Sequence, residues 1–294
     1  MGAPKYAAGD PGGVLLGSVR RHRRRAAGAR LGCIYRVILP GAVGFLFVFI
    51  WLLLRPQRSG LANRKLWFWS AIAGAGVAGN FAFYFLSIGE GSVAVAATLM
   101  YCAPVFVYLV SFTLGLESPS LQKWLAILLV LLGIVLLTQI YTLGAGAVSV
   151  FAVTTGLLSG MSYALFIFGF KYAAPHGSPQ AILVIAFAVL AIILIALGEV
   201  SEVVAAFSTP SLPLLVLLGV LGAGLSFIFY IFGLNYTAPA VASIVAMVEP
   251  VTASLFGVVV LDEKLNLIQL TGMALILITV TMLSVHSSRR KASI

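Results

Sequence analysis

Residues 81–105 read FAFYFLSIGEGSVAVAATLMYCAPV, and residues 227–251 read FIFYIFGLNYTAPAVASIVAMVEPV. Set one above the other without a gap, Phe81, Phe83, Tyr84, Ala94, Val95, Ala96, Pro104 and Val105 fall on Phe227, Phe229, Tyr230, Ala240, Val241, Ala242, Pro250 and Val251. The offset is 146 positions (Pro250 against Pro104), and it continues unchanged to Glu117 over Glu263, Leu121 over Leu267 and Leu137 over Leu283. Apolar helices match one another by chance, because few residue types fill them. Aromatic, proline and glutamate positions sharing one register do not, so the chain is two copies of one unit.

Each copy is built for a membrane. The 294-residue chain is 61% hydrophobic and 9% charged, with a mean hydropathy of +1.11. A water-soluble domain has no interior for that much apolar surface, whereas about 20 apolar residues in a row cross a bilayer. Apolar runs predict nine spans, at 37–54, 66–87, 91–115, 121–141, 148–171, 178–199, 212–234, 238–261 and 266–285. The expected fold class is all-α, a polytopic membrane protein with membrane lipid as its surroundings. The net charge of +10 does not point to nucleic acid, since eight of the 18 basic residues lie in the first 36 positions and most others in short loops and the tail. Cys33 and Cys102 match no metal or redox spacing, and His22, His176 and His286 are scattered, so no metal or cofactor is expected.

The two copies are unequal at the front. Span 178–199 falls on 32–53, but span 148–171 falls on 2–25, which reads GAPKYAAGDPGGVLLGSVRRHRRR and has no composition for crossing a bilayer. Residues 1–36 are therefore expected to form a basic, disordered leader without a span, leaving the central cavity more open on that side. Residues 37–141 would be the first, incomplete unit, 148–285 the second, and 286–294 a tail.

Loop charges orient the spans. With the tail placed in the cytoplasm, the inner segments hold Arg55, Arg58, Arg64, Lys65, Lys123, Lys171, Arg289, Arg290 and Lys291, and the outer loops hold Lys264 alone. That asymmetry follows the positive-inside rule. It puts the Glu117 loop inside and the Glu263 loop outside, so the copies point in opposite directions. Inverted repeats are a mark of secondary transporters, with the substrate site at the repeat interface near the midplane.

YTAPAVASIVAMVEPVTASLFGVVVLDEKLNLIQLTGMALILITV (236–280) resembles the EamA-type repeat of the drug/metabolite transporter superfamily, with a proline-containing span, a short loop carrying a glutamate and a glycine-punctuated final span. Its first copy is SVAVAATLMYCAPVFVYLVSFTLGLESPSLQKWLAILLVLLGIVLL (92–137), and the resemblance covers about residues 32–285. It implies ten spans with both ends cytoplasmic, a central cavity, and export or exchange of small metabolites such as amino acids, amines or drugs across the cell membrane. The first of the ten spans has no clear counterpart here.

Glu249 is the one acid well inside a predicted span, since Glu199 stands at the very end of its own. On a helical wheel Ala238, Ala242, Ala246, Ala253 and Gly257 gather on its side, while Val241, Ile244, Val248, Val251, Leu255 and Val258 gather opposite. Small residues suit a packed or cavity-facing side and large aliphatics a lipid-facing one, so Glu249 is expected to face inward. An intramembrane carboxyl group suits proton coupling or the binding of a cationic solute. The structural alternative is a neutral glutamate bonded to the carbonyl of Ala246, which Pro250 deprives of its helical donor.

Pro104 and Pro250 are expected to kink their helices at matched positions, either as hinges or as static bends. Tyr84 and Tyr230, with Asn80 and Ser226 one turn earlier, form a second matched set suited to a small amphipathic solute, although anchoring and core packing are common roles for tyrosine. Tyr101, Ser162 and Tyr163 are further candidates. Gly156 with Gly160, and Gly74 with Gly76 and Gly79, read as close helix packing. No paired acids, metal motif or serine–histidine arrangement calls for an enzyme, and no filter-like sequence calls for a channel. A transport-inactive scaffold or partner subunit is the alternative that the missing first span keeps open.

Overall fold

The computed structural model describes residues 41–56, 59–116, 118–143, 149–197, 212–261 and 264–292. The expectations for the leader therefore lie outside the described residues. The described chain is helical, and seven helical stretches, counted through short breaks, are long and apolar enough to cross a membrane, with two shorter apolar stretches at Gly41–Leu54 and Leu267–Leu283.

In chain order the elements are α1 (Gly41–Leu54), α2 (Arg64–Glu90), α3 (Val93–Met100) and α4 (Ala103–Thr113), α5 (Leu121–Thr138), α6 (Val150–Ala173) and α7 (Pro179–Leu197). There follow α8 (Leu212–Leu218), a π-helical segment (Gly219–Leu225), α9 (Ser226–Tyr236), α10 (Pro239–Val245), a 3-10 turn (Ala246–Val248), α11 (Glu249–Leu261) and α12 (Leu267–Ala292). Short polar residues start the helices. Asn63 accepts from the Lys65 N–H, Ser92 from the Val95 N–H and Ser149 from the Ala152 N–H. Asn266 and Gln269 cap α12 reciprocally, each side chain accepting the other's backbone N–H at 2.9 and 3.0 Å.

Two predicted spans are broken helices, and they break at matched places. The first span stops at Met100 and restarts at Ala103, with the Cys102 N–H donating to the Leu99 carbonyl at 3.2 Å. Its mate passes through the 3-10 turn Ala246–Val248 and restarts at Glu249. Pro104 and Pro250 are each the second residue of the restarted helix, where a missing N–H costs no intrahelical bond. The Ala246 carbonyl is not orphaned as the sequence suggests: the Glu249 N–H donates to it, because the chain tightens to a three-residue turn.

That turn also overturns the single helical wheel. Val241, Ile244 and Val251 are buried rather than lipid-facing, while Ala253 is exposed. A 3-10 turn advances by about 120° per residue against 100° in an α-helix, so a face read through it loses phase.

Small residues set the helix spacing. A Cβ on Gly76 would come within 2.6 Å of the Phe166 nitrogen, and one on Gly156 within 2.7 Å of Leu99. A Cβ on Gly74 would run into the Ala186 carbonyl. The register mates α5 and α12 lie antiparallel: Gly133 meets Gly272 and Ile276, whereas Leu137, one turn on, meets Gly272 and receives the Gln269 side-chain amide at its carbonyl. This matching pair from the two copies thus runs in opposite directions, as an inverted repeat requires.

Candidate functional site

Between the two copies lies a cavity of about 550 Å³. From the first copy, α2 contributes Val77, Asn80, Phe81 and Tyr84, and the break contributes Met100 and Tyr101. From the second, α6 contributes Tyr163 and Phe166, the π-helical segment Gly222, and α9 Ser226, Phe227 and Tyr230. Ala246 in the 3-10 turn and Glu249 at the start of α11 complete the wall. Asn80 and Ser226, Phe81 and Phe227, Tyr84 and Tyr230, and Met100 and Ala246 are register mates, so equivalent residues of both copies meet on one space.

Two hydrogen-bonded contacts along the α2–α6 seam hold this wall. Asn80 Nδ2 donates to the Ser159 carbonyl at 3.1 Å and to Ser159 Oγ at 3.0 Å, tying α2 to α6. Farther along, Ser87 Oγ donates to the Ala152 carbonyl at 2.7 Å. The aromatic side is packed by Tyr163 on Phe166, with ring centroids 4.5 Å apart, and by Phe166, Phe170 and Phe227 around Tyr230 at 6.4 to 6.5 Å.

Glu249 is exposed to this space rather than packed, and no basic side chain lines the cavity among the described residues. Its mate Ala103 is fully buried and is not part of the lining. The Tyr230 hydroxyl is buried without a hydrogen-bond partner. An acceptor-rich carboxylate, an unpaired phenol and apolar ring faces together can hold a small amphipathic molecule by one polar end.

Other candidates are differently placed. The Ser226 hydroxyl donates to the Gly222 carbonyl one turn back, which occupies its proton. Ser162 packs against Gly79, where a Cβ would approach Ser162 Oγ to 2.8 Å, and is not among the lining residues. Lining residues that sequence reasoning passed over include Phe81, Met100, Phe166 and Phe227. Phe81 and Phe227 carried a signal, since both stand in the repeat alignment beside Tyr84 and Tyr230.

Helical membrane spans in two antiparallel copies, closing on one shared cavity, define the architecture of a repeat-built membrane transporter. The profile of the EamA-like transporter family matches residues 25–139 and 150–285, one match for each copy. The chain belongs to that family, and through it to the drug/metabolite transporter superfamily. It is 30% identical over 194 residues to an uncharacterized transporter of Archaeoglobus fulgidus, covering 66% of this chain and 68% of that one. A solved crystal structure superposes with a TM-score of 0.70 at 18% identity, covering 94% of this chain and 95% of the other, a likeness of fold.

Proposed function

We propose that the chain is a secondary transporter that exports or exchanges small metabolites (amino acid, amine or drug-like) across the cytoplasmic membrane by alternating access. Glu249 takes up and releases a proton during the cycle. The observation that supports this reading is the placement of Glu249: a carboxylate on the cavity that both copies share, with no basic residue in the lining among the described residues. Such a group must stay neutral or bind a cation when the site is shut off from water, and it ionises when water returns. The broken helices at Met100–Ala103 and Ala246–Glu249 supply the bending places, with Pro104 and Pro250 as hinges.

The test has two stages. Comparing metabolites exported by deletion and overexpressing cells selects a substrate, and flux of that substrate is then measured in liposomes with and without a proton gradient. The unmodified protein should respond to the gradient, and Glu249→Gln should fold, bind substrate and lose the response. A glutamine variant that keeps both rate and pH dependence would assign Glu249 a structural role.

A further inference from the structure

A second concavity, of about 450 Å³, lies along α1 and shares no lining residue with the cavity at Glu249 among the described residues. Among the described residues its walls are Phe47, Ile50, Trp51, Leu54 and Arg55. Their spacing of three and four positions puts all five on one helix face, apolar for two turns and ending in a guanidinium. Phe47 and Trp51 meet edge to face with centroids 5.7 Å apart, and the Phe47 ring rests on Gly224 of the π-helical segment. Ile50 and Leu54 are exposed on this face.

Arg55 follows the last residue of α1, its N–H donating to the Trp51 carbonyl at 3.0 Å. Its side chain is exposed and pairs with no acid among the described residues. The segment from Arg55 to Lys65 holds four basic residues and no acid, and Arg64 and Lys65 are exposed where α2 begins.

We infer that this face of α1 is a binding site for an anionic phospholipid. The headgroup phosphate sits on the Arg55 guanidinium and one acyl chain lies along Leu54, Trp51, Ile50 and Phe47. A guanidinium matches phosphate in charge and in its paired N–H geometry, and the apolar stripe continues from it in the direction an acyl chain takes. The cytoplasmic leaflet, where the loop charges place Arg55, is the one rich in anionic lipid. A cation at a helix C-terminus is also favourable without any ligand, which accounts for the arginine but not for the open apolar groove beside it.

The test uses vesicles of phosphatidylcholine doped with brominated lipid. A chain keeping Trp51 as its one tryptophan (Trp67→Phe, Trp69→Phe, Trp124→Phe) reports acyl contact at the groove by quenching. Brominated phosphatidylglycerol should quench with about fivefold preference over brominated phosphatidylcholine at low salt, the gain expected from one surface arginine, and the preference should shrink as salt rises. Arg55→Gln should abolish the preference and Arg55→Lys retain part of it. On the chain with all its tryptophans, phosphatidylglycerol in mixed micelles should raise the unfolding temperature, and Arg55→Gln should cancel the rise. Equal quenching by the two lipids, or a preference that survives Arg55→Gln, overturns the inference. Displacement by free glycerol phosphate would assign the site to a soluble phosphate and overturn the lipid.

Discussion

Asn80 and Ser159 bond to each other in both directions: the Asn80 amide reaches the Ser159 carbonyl and hydroxyl, and the Ser159 hydroxyl donates to the Asn80 carbonyl at 3.0 Å. Each side chain thus joins the other helix's backbone, and the pair pins α2 to α6 beside the cavity. Removing either should lower the unfolding temperature in detergent by an amount corresponding to about 1–2 kcal/mol. Because the bonds are shared, Asn80→Ala with Ser159→Ala should cost less than the two single changes added together. Additive losses would show that the pair does not act as a unit.

Gly76 and Gly233 contrast in packing. A Cβ on Gly76 meets the Phe166 backbone, whereas one on Gly233 meets nothing within 4 Å. Gly76→Ala should destabilise by about 1–3 kcal/mol, through crowding at the α2–α6 seam. Gly233→Ala should be neutral or slightly stabilising, since alanine favours helix by about 1 kcal/mol over glycine. Thermal unfolding of the two variants side by side decides it.

Lys171 reaches from α6 across to the end of α9, its Nζ donating to the carbonyls of Leu234, Asn235 and Thr237. A cation there satisfies carbonyls that a helix end leaves open. Lys171→Met should free the end of α9 and the 237–238 connection and cost about 1–3 kcal/mol. Faster proteolysis within that connection, measured alongside the unfolding temperature, is the expected sign; unchanged cleavage would mean the amine holds nothing.

The acid should not be transferable between copies. Ala103, the mate of Glu249, is fully buried in the core. Ala103→Glu combined with Glu249→Ala should therefore fail to restore proton-dependent flux in liposomes, even in a preparation that folds. Restoration would mean that the register, rather than access to the cavity, decides the role.

Orientation can be tested from both ends. A reporter fused after Ile294 should read as cytoplasmic, and Lys264→Cys should react with an impermeant maleimide added outside intact cells. The opposite pattern would defeat the loop-charge assignment.

The repeats, the helical class and the family resemblance were legible because they rest on spacing, which survives in one dimension. Tyr84, Tyr230, Asn80, Ser226 and Glu249 were legible as lining candidates because polar groups stand out in an apolar span. Three features were not. The lipid-facing assignment of Val241, Ile244 and Val251 failed because a helical wheel assumes one uninterrupted helix, and a proline does not say whether its helix bends or restarts. Phe166 looked like any core aromatic, since nothing along the chain separates a ring that packs from one that also borders an opening. Ser162 stands beside Tyr163 in sequence, yet neighbouring residues on a helix point about 100° apart, and the serine went to the seam with Gly79.

A carboxylate in one copy and a buried alanine in the other has a consequence for ancestry. An assembly of two identical subunits must place two such acids around its axis, one from each. Joining both units in a single polypeptide removes that obligation, and each half can then diverge on its own. Position 103 fills the interior and position 249 lines the shared cavity, a division of labour closed to two identical subunits.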